Sequence, residues 1–119
     1  MIQNWFKART ALLVGGSITE YPTYMILGIG SSTLESGQTI LETVSGLRQL
    51  NTSITNSTQK VNWIFDWNSN QMSGLNMREF ALLSSGTSLT GSIWTRDVIP
   101  ALQFNGTNEL RISENIEIF

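Results

Sequence analysis

The stretch from Lys60 to Trp67, KVNWIFDW, carries the clearest structural signal in the chain. Its odd-numbered positions are apolar or aromatic, and its even-numbered positions are Lys60, Asn62, Ile64 and Asp66. A period of two places alternate side chains on opposite faces of a β-strand. We therefore predict a strand with one largely aromatic face, and we expect Val61, Trp63 and Phe65 in the hydrophobic core.

The end of the chain repeats this alternation over residues 109–119. One face carries Leu110, Ile112, Ile116 and Ile118, which we also predict to be core residues. Glu114 falls on the same apolar face. The pattern therefore requires either a partner for the Glu114 carboxylate or a bulge that shifts the register.

Further segments rich in β-formers are separated by Gly, Ser and Asn. Strands are predicted over residues 21–29, 77–83, 92–98 and 101–104, the last two forming a pair interrupted at Ile99–Pro100 because proline cannot donate a ladder hydrogen bond. Residues 39–50 fit helix or strand, 51–59 fit an exposed loop or an edge strand, and 68–76 read as a polar connection. Strands recurring at about ten-residue spacing predict an all-β fold, an antiparallel sandwich or barrel.

The N-terminal residues show a different period. Apolar residues in 2–14 lie near helical spacing, and Gly15–Gly16 follows as a stop signal. We predict one domain, 1–119, made of an N-terminal arm or helix (residues 1–16) and a β-domain (20–119). The arm either packs on its own domain or docks on a neighbouring subunit, with Trp5 and Phe6 as anchors.

Composition restricts the chemistry that the chain can perform. The sequence has no histidine and no cysteine, and only 13% of its residues are charged. Catalytic arrangements built on histidine or cysteine and the usual zinc sites are therefore excluded. We expect no enzyme activity, no catalytic residues, no cofactor and no metal.

Charge and hydropathy also bear on partners. The net charge of -2, with scattered basic residues, does not suit a nucleic-acid binder. No apolar run reaches the length of a signal-peptide core or a membrane span. We expect a soluble protein that binds neither nucleic acid nor membrane.

Arg78 and Glu79 form a polar pair inside the apolar run 77–83. In a strand their side chains point to opposite faces, so one of them is directed inward and needs a partner. Two alternatives stand: an ion pair of Glu79 with Arg48 or Arg96, or a clamp between subunits. With Trp5, Phe6 and Trp94, these two residues are our candidate interface residues.

Three segments together resemble a known family. They are PTYMILGIG (22–30), followed by Thr39, Leu41, Glu42 and Arg48; MREFALL (77–83); and WTRDVIP (94–100), closed by the final alternating strand. Their order is similar to that in small virion structural proteins of tailed bacteriophages, and in the domain that attaches tail-fibre (tail-collar) proteins to the baseplate.

The resemblance implies a non-enzymatic structural protein of the phage virion, assembled in the host cytoplasm. It implies a symmetric homo-oligomer in the tail, baseplate or fibre-attachment region, with other copies of itself and other virion proteins as partners. Two alternatives remain open: a capsid decoration (cement) protein, and a carbohydrate-binding module that uses exposed tryptophans.

Overall fold

A computed structural model describes residues 1–16, 21–34, 44–57, 59–84 and 93–117. Within these ranges the chain forms two helices and seven strands. In order they are α1 (Asn4–Val14), β1 (Tyr24–Gly28), β2 (Val44–Leu50), β3 (Ser53–Asn56), β4 (Lys60–Trp67), α2 (Ser69–Met72), β5 (Asn76–Leu83), β6 (Ile93–Gln103) and β7 (Leu110–Glu117).

The strands form two antiparallel sheets. One sheet has the order β2-β1-β5-β6, and the other has the order β3-β4-β7. Buried residues of both sheets belong to one hydrophobic cluster, with Met25 and Leu82 from the first sheet and Trp63 and Phe65 from the second. The sheets therefore pack face to face around a shared core, and the predicted all-β sandwich with a short N-terminal helix is confirmed.

Strand β4 has the predicted bounds and lies at the centre of the three-stranded sheet. It pairs with β7 without interruption, from Lys60 opposite Glu117 to Trp67 opposite Leu110. Of the predicted core residues, Trp63, Phe65 and Ile116 are buried, and Val61, Leu110 and Ile112 are partly buried against the same cluster. Ile118 lies outside the described residues.

The predicted division into two strands at Ile99–Pro100 was wrong, although pairing with β5 is irregular there. Residues 93–103 form one strand, and the register shift against β5 absorbs the proline. Val98 lies opposite Glu79 and Leu102 opposite Met77, so residues 99–101 form a bulge. A bulged residue needs no ladder hydrogen bond, and the strand can therefore continue past Pro100.

Two ambiguous segments are edge strands, and one element was missed. Residues 44–50 form β2, and the polar segment 51–59 contains the edge strand β3. The connection 68–76 contains the short helix α2, whose capping box joins Asn68 and Gln71 in both directions. The Asn68–Gln71 spacing was the available signal, and buried Met72 ties the helix to the core.

Candidate functional site

The N-terminal residues add a short strand to the edge of β6 within the same chain. Ile2 pairs with Thr95 in an antiparallel bridge. The Gln3 amide donates to the Trp94 carbonyl (2.9 Å), and the Arg96 amide donates to the Met1 carbonyl (2.9 Å). The Met1 ammonium group also forms an ion pair of 2.7 Å with Asp97. The edge of β6 is therefore covered at this point by the chain's own arm.

Helix α1 continues this docking. The Phe6 ring meets the Trp94 ring edge-on, with centroids 5.3 Å apart and planes at 82°. Leu13, two turns further along, also packs on the core. Of the two predicted positions of the arm, the structure shows packing on its own domain. The side chain of Trp5 lies outside the described part of the chain.

An apolar cleft of about 470 Å³ lies between α1 and the sandwich. Its lining is mostly apolar and consists of Phe6, Thr10, Leu13, Tyr21, Pro22, Ile54, Asn56, Val61, Trp63, Trp94 and Ile116. Trp63 is fixed at its base, because its indole N–H donates to the Pro22 carbonyl (2.8 Å). The helix therefore covers the open side of the sandwich without filling the space beneath it.

A cluster of charged groups lies beside the arm's first residues. Strands β4 and β7 pair without a bulge at Glu114, which lies opposite Trp63, so the predicted alternative of a bulge was wrong. The carboxyl stays on the inner face, and burial raises its pKa to about 7. This net value also includes an increase from the Asp97 charge and decreases from the Met1 ammonium group and the Thr95 side chain. The Met1 ammonium group thus forms an ion pair with Asp97 and also lowers the pKa of Glu114.

A second ion pair lies on the outer face of the four-stranded sheet. Glu79 and Arg96 are both completely buried, and their oxygen and nitrogen lie 2.8 Å apart. The other Glu79 oxygen accepts from the Gly30 amide (3.2 Å). Arg96 donates to the carbonyl and hydroxyl oxygens of Ser32 (3.3 and 3.2 Å). Each charge is therefore neutralised inside the chain.

A polar groove of about 480 Å³ lies where β4 ends and β7 begins. It is lined by Gln49, Asp66, Trp67, Asn68, Gln71, Glu109, Leu110 and Arg111. Asp66 pairs with Arg111 at 2.7 Å and accepts from the Thr52 hydroxyl at 2.6 Å. The hydrogen bond from Arg111, and then that from Thr52, lowers the pKa of Asp66. The side chains of Asp66, Arg111 and Thr52 thus form hydrogen bonds with one another at an exposed position.

The candidate interface residues have different positions. Phe6 and Arg78 are half-buried, whereas Glu79 and Trp94 are buried inside the chain. Glu79 has the predicted ion-pair partner Arg96. Gln3, Thr95, Asp97 and Glu114 meet at the docked arm, a grouping that sequence analysis missed. Only the charged Glu114 on an apolar face pointed to it.

The described part of the chain contains no group of three or more Asp or Glu residues placed to hold a metal ion. Within the same ranges, neither helix has the length and apolarity needed to cross a membrane. Comparisons with protein-family models, with curated proteins and with solved structures find no match to this chain.

Proposed function

We propose that the protein is a non-enzymatic structural component of a tailed-phage virion. In this role it assembles as a symmetric oligomer with copies of itself and with other virion proteins, in the tail, baseplate or fibre-attachment region. The proposal combines the resemblance in the three segments quoted above with the distribution of polar and apolar groups in the fold.

The observation that carries the proposal is the placement of exposed apolar side chains. Eight large apolar residues of the described ranges are exposed: Met1, Ile2, Leu12, Val14, Tyr21, Ile29, Leu50 and Leu102. Four belong to the arm, and Tyr21 lines the apolar cleft. Val14 is 85% exposed. Apolar area removed from water contributes about 25 cal/mol per Å², so this end of the molecule favours association.

The ionisable groups support a contact role over catalysis. Glu79 with Arg96 and Asp66 with Arg111 are ion pairs closed within the chain. The partly buried Glu114 has Asp97 and the Met1 ammonium group as its charged neighbours. Because these charges are already paired within the chain, the desolvation cost of burying the protein's surface against another chain is limited.

The carbohydrate-binding alternative loses its main support. Trp63, Trp67 and Trp94 are at most 5% exposed, so none offers a ring face on which a sugar can stack. The capsid-decoration alternative is supported by the same exposed apolar surface as the tail proposal. The number of copies per phage particle distinguishes the two.

The test has two parts. Sedimentation velocity of the purified chain should show an oligomer, and quantitative mass spectrometry should find the chain in purified phage particles. About six to a few dozen copies per particle supports the tail or baseplate, whereas hundreds identify capsid decoration. A monomeric chain that is missing from purified particles contradicts the proposal.

A further inference from the structure

We propose that the wall of the apolar cleft formed by the sandwich, together with the adjoining edge of β6, is the receptor for the N-terminal arm (residues 1–16) of a second copy of this chain. In the assembled oligomer each copy would exchange its arm with a neighbour. This inference rests on the proposed assembly function and adds the contact through which assembly occurs.

The arm's contacts can be made equally well between two chains. The strand part consists of backbone hydrogen bonds along β6, together with the pairing of Ile2 and Thr95. The helix part consists of side-chain packing of Phe6 and Leu13 on the core. Because every copy carries both the arm and its receptor, an arm from a neighbour reproduces each contact.

Packing between the arm and its receptor is incomplete. The cleft of about 470 Å³ lies directly beneath α1. The buried Gln3 Oε1 and Trp94 Nε1 atoms, both at the docking point, have no hydrogen-bond partner. The helix has no side-chain cap and no acidic residue in its first turn. Helices of this length are marginal without packing, so the docked arm is poised to separate.

The arm ends at a pair of glycines. Gly15 and Gly16 follow Val14, and Gly16 has φ of +75°, a conformation that glycine adopts without strain. The chain from Gly16 to Tyr21 spans at most about 17 Å when extended. An exchanged arm therefore reaches only a directly adjacent copy, as the closed ring of a symmetric oligomer requires.

Exchange also gives the exposed apolar residues a role. Leu12 and Val14 lie on the outer side of the arm near the glycine pair, and Tyr21 lies at the rim of the cleft. Where two arms cross, these side chains from adjacent copies come together and lose exposure. An arm folded back on its own chain leaves them in water, and this difference favours exchange.

Cysteine cross-linking tests the inference, because the native chain has no cysteine. Ile2 and Thr95 form a non-hydrogen-bonded antiparallel pair, in which side chains approach closely enough for a disulfide. The variants Ile2→Cys and Thr95→Cys are co-expressed as separate chains and oxidised. Exchange predicts a disulfide-linked dimer that contains one chain of each variant. Intact-mass spectrometry without reducing agent measures it. This mixed dimer should be several times more abundant than the dimer of two Ile2→Cys chains or of two Thr95→Cys chains.

The matched control uses two paired positions on the exposed face of the three-stranded sheet. Asn62 and Asn115 are opposite each other in β4 and β7, and neither belongs to the arm, so exchange of the arm leaves their pairing within one chain. Co-expressed Asn62→Cys and Asn115→Cys chains should give no mixed pair. A single chain that carries both substitutions should form an intrachain bond.

A second measurement needs no substitution. The Met1 ammonium group and Asp97 lie 2.7 Å apart, within reach of a zero-length carbodiimide cross-link. In an oligomer refolded from ¹⁴N and ¹⁵N chains, exchange predicts cross-linked peptides of mixed isotope. If the oligomer forms but both measurements show only intrachain links, the exchange is wrong and the proposed function stands. A chain that sediments as a monomer overturns the exchange, and one that is also missing from purified phage particles overturns the proposed function as well.

Discussion

Two residues of β6 that are separated only by Thr95 have very different surroundings. Arg96 lies on the outer face of the four-stranded sheet, where Glu79 and Ser32 bind its guanidinium group. Trp94 lies at the docking site of the arm, where its ring meets Phe6 and its Nε1 atom has no partner. One region is closed and its charges are matched, and the other borders a cleft.

This difference separates what holds the fold together from what can change partners. A buried ion pair tolerates no rearrangement, because removal of one member leaves the other charge without compensation. A half-buried helix docked beside a cleft has no comparable penalty for release. Closed polar regions therefore fix the scaffold, and loosely packed edges are available for contact between chains.

The largest effect is expected for Arg96→Met. The substitution leaves the Glu79 carboxylate buried without its cation and should lower the free energy of unfolding by about 3–5 kcal/mol. Urea denaturation measures the loss. The double variant Glu79→Leu with Arg96→Met removes both charges and should recover much of the stability. An Arg96→Met variant as stable as the native chain would show that the pair is not what closes this region.

A comparison of two phenylalanines sharpens the contrast. Phe65 is completely buried between the sheets, whereas Phe6 is half-buried at the docking site. Phe65→Ala should destabilise the fold by about 3–5 kcal/mol, and Phe6→Ala by only about 1–2 kcal/mol. Hydrogen exchange should further show faster exchange in α1 alone for Phe6→Ala. Equal losses in both variants would mean that the arm is as firmly packed as the core.

The pH dependence of stability should reflect Glu114. Its pKa is raised by burial from 4.5 to about 7 in the folded chain, so the folded state holds the proton more tightly than the unfolded state does. The contribution of Glu114 to the stability of the fold is then greatest below pH 4.5 and falls as the pH rises toward 7. We expect a loss of about 2 kcal/mol, reduced from the full linkage value because the carboxyl keeps some exposure.

Glu114→Gln is the control for this dependence. The variant should remove the decline between pH 4.5 and 7 without affecting titrations elsewhere. Asp97 and the Met1 ammonium group face the same carboxyl, so Asp97→Asn should lower the pKa of Glu114 and shift the decline toward lower pH. Thermal melts across this range measure both effects. An unchanged pH profile in Glu114→Gln would assign the decline to another group.

The smallest effect is expected for the exposed ion pair. Arg111 is largely exposed and holds Asp66 at 2.7 Å in the polar groove. Salt and water screen such pairs, so Arg111→Gln should leave the urea midpoint unchanged within error. A destabilisation comparable to that of Arg96→Met would remove the distinction between the buried and the exposed pair.

Much of the fold could be predicted because its signals are local. The alternation in 60–67 identified β4 with its bounds, and the same period identified β7. Pro100 led to a wrong prediction, because the sequence shows that its backbone has no N–H donor but does not show the bulge that accommodates it. The candidate site could be predicted only in part. The alternation showed that one of Arg78 and Glu79 points inward and needs a partner. Whether Arg48 or Arg96 pairs with Glu79 depends on the order of the strands in the sheet.

By itself the sequence determined the strand periods and the absence of histidine and cysteine chemistry. It also showed that one of Arg78 and Glu79 needs a partner, and that Glu114 needs either a partner or a bulge. Only the tertiary structure decided which groups meet. It placed the arm on β6, set Glu114 beside Asp97 and the Met1 ammonium group, and left a cleft beneath α1. The reason is physical: side-chain period follows from backbone geometry within a segment, whereas contacts between distant segments depend on how the sheets pack.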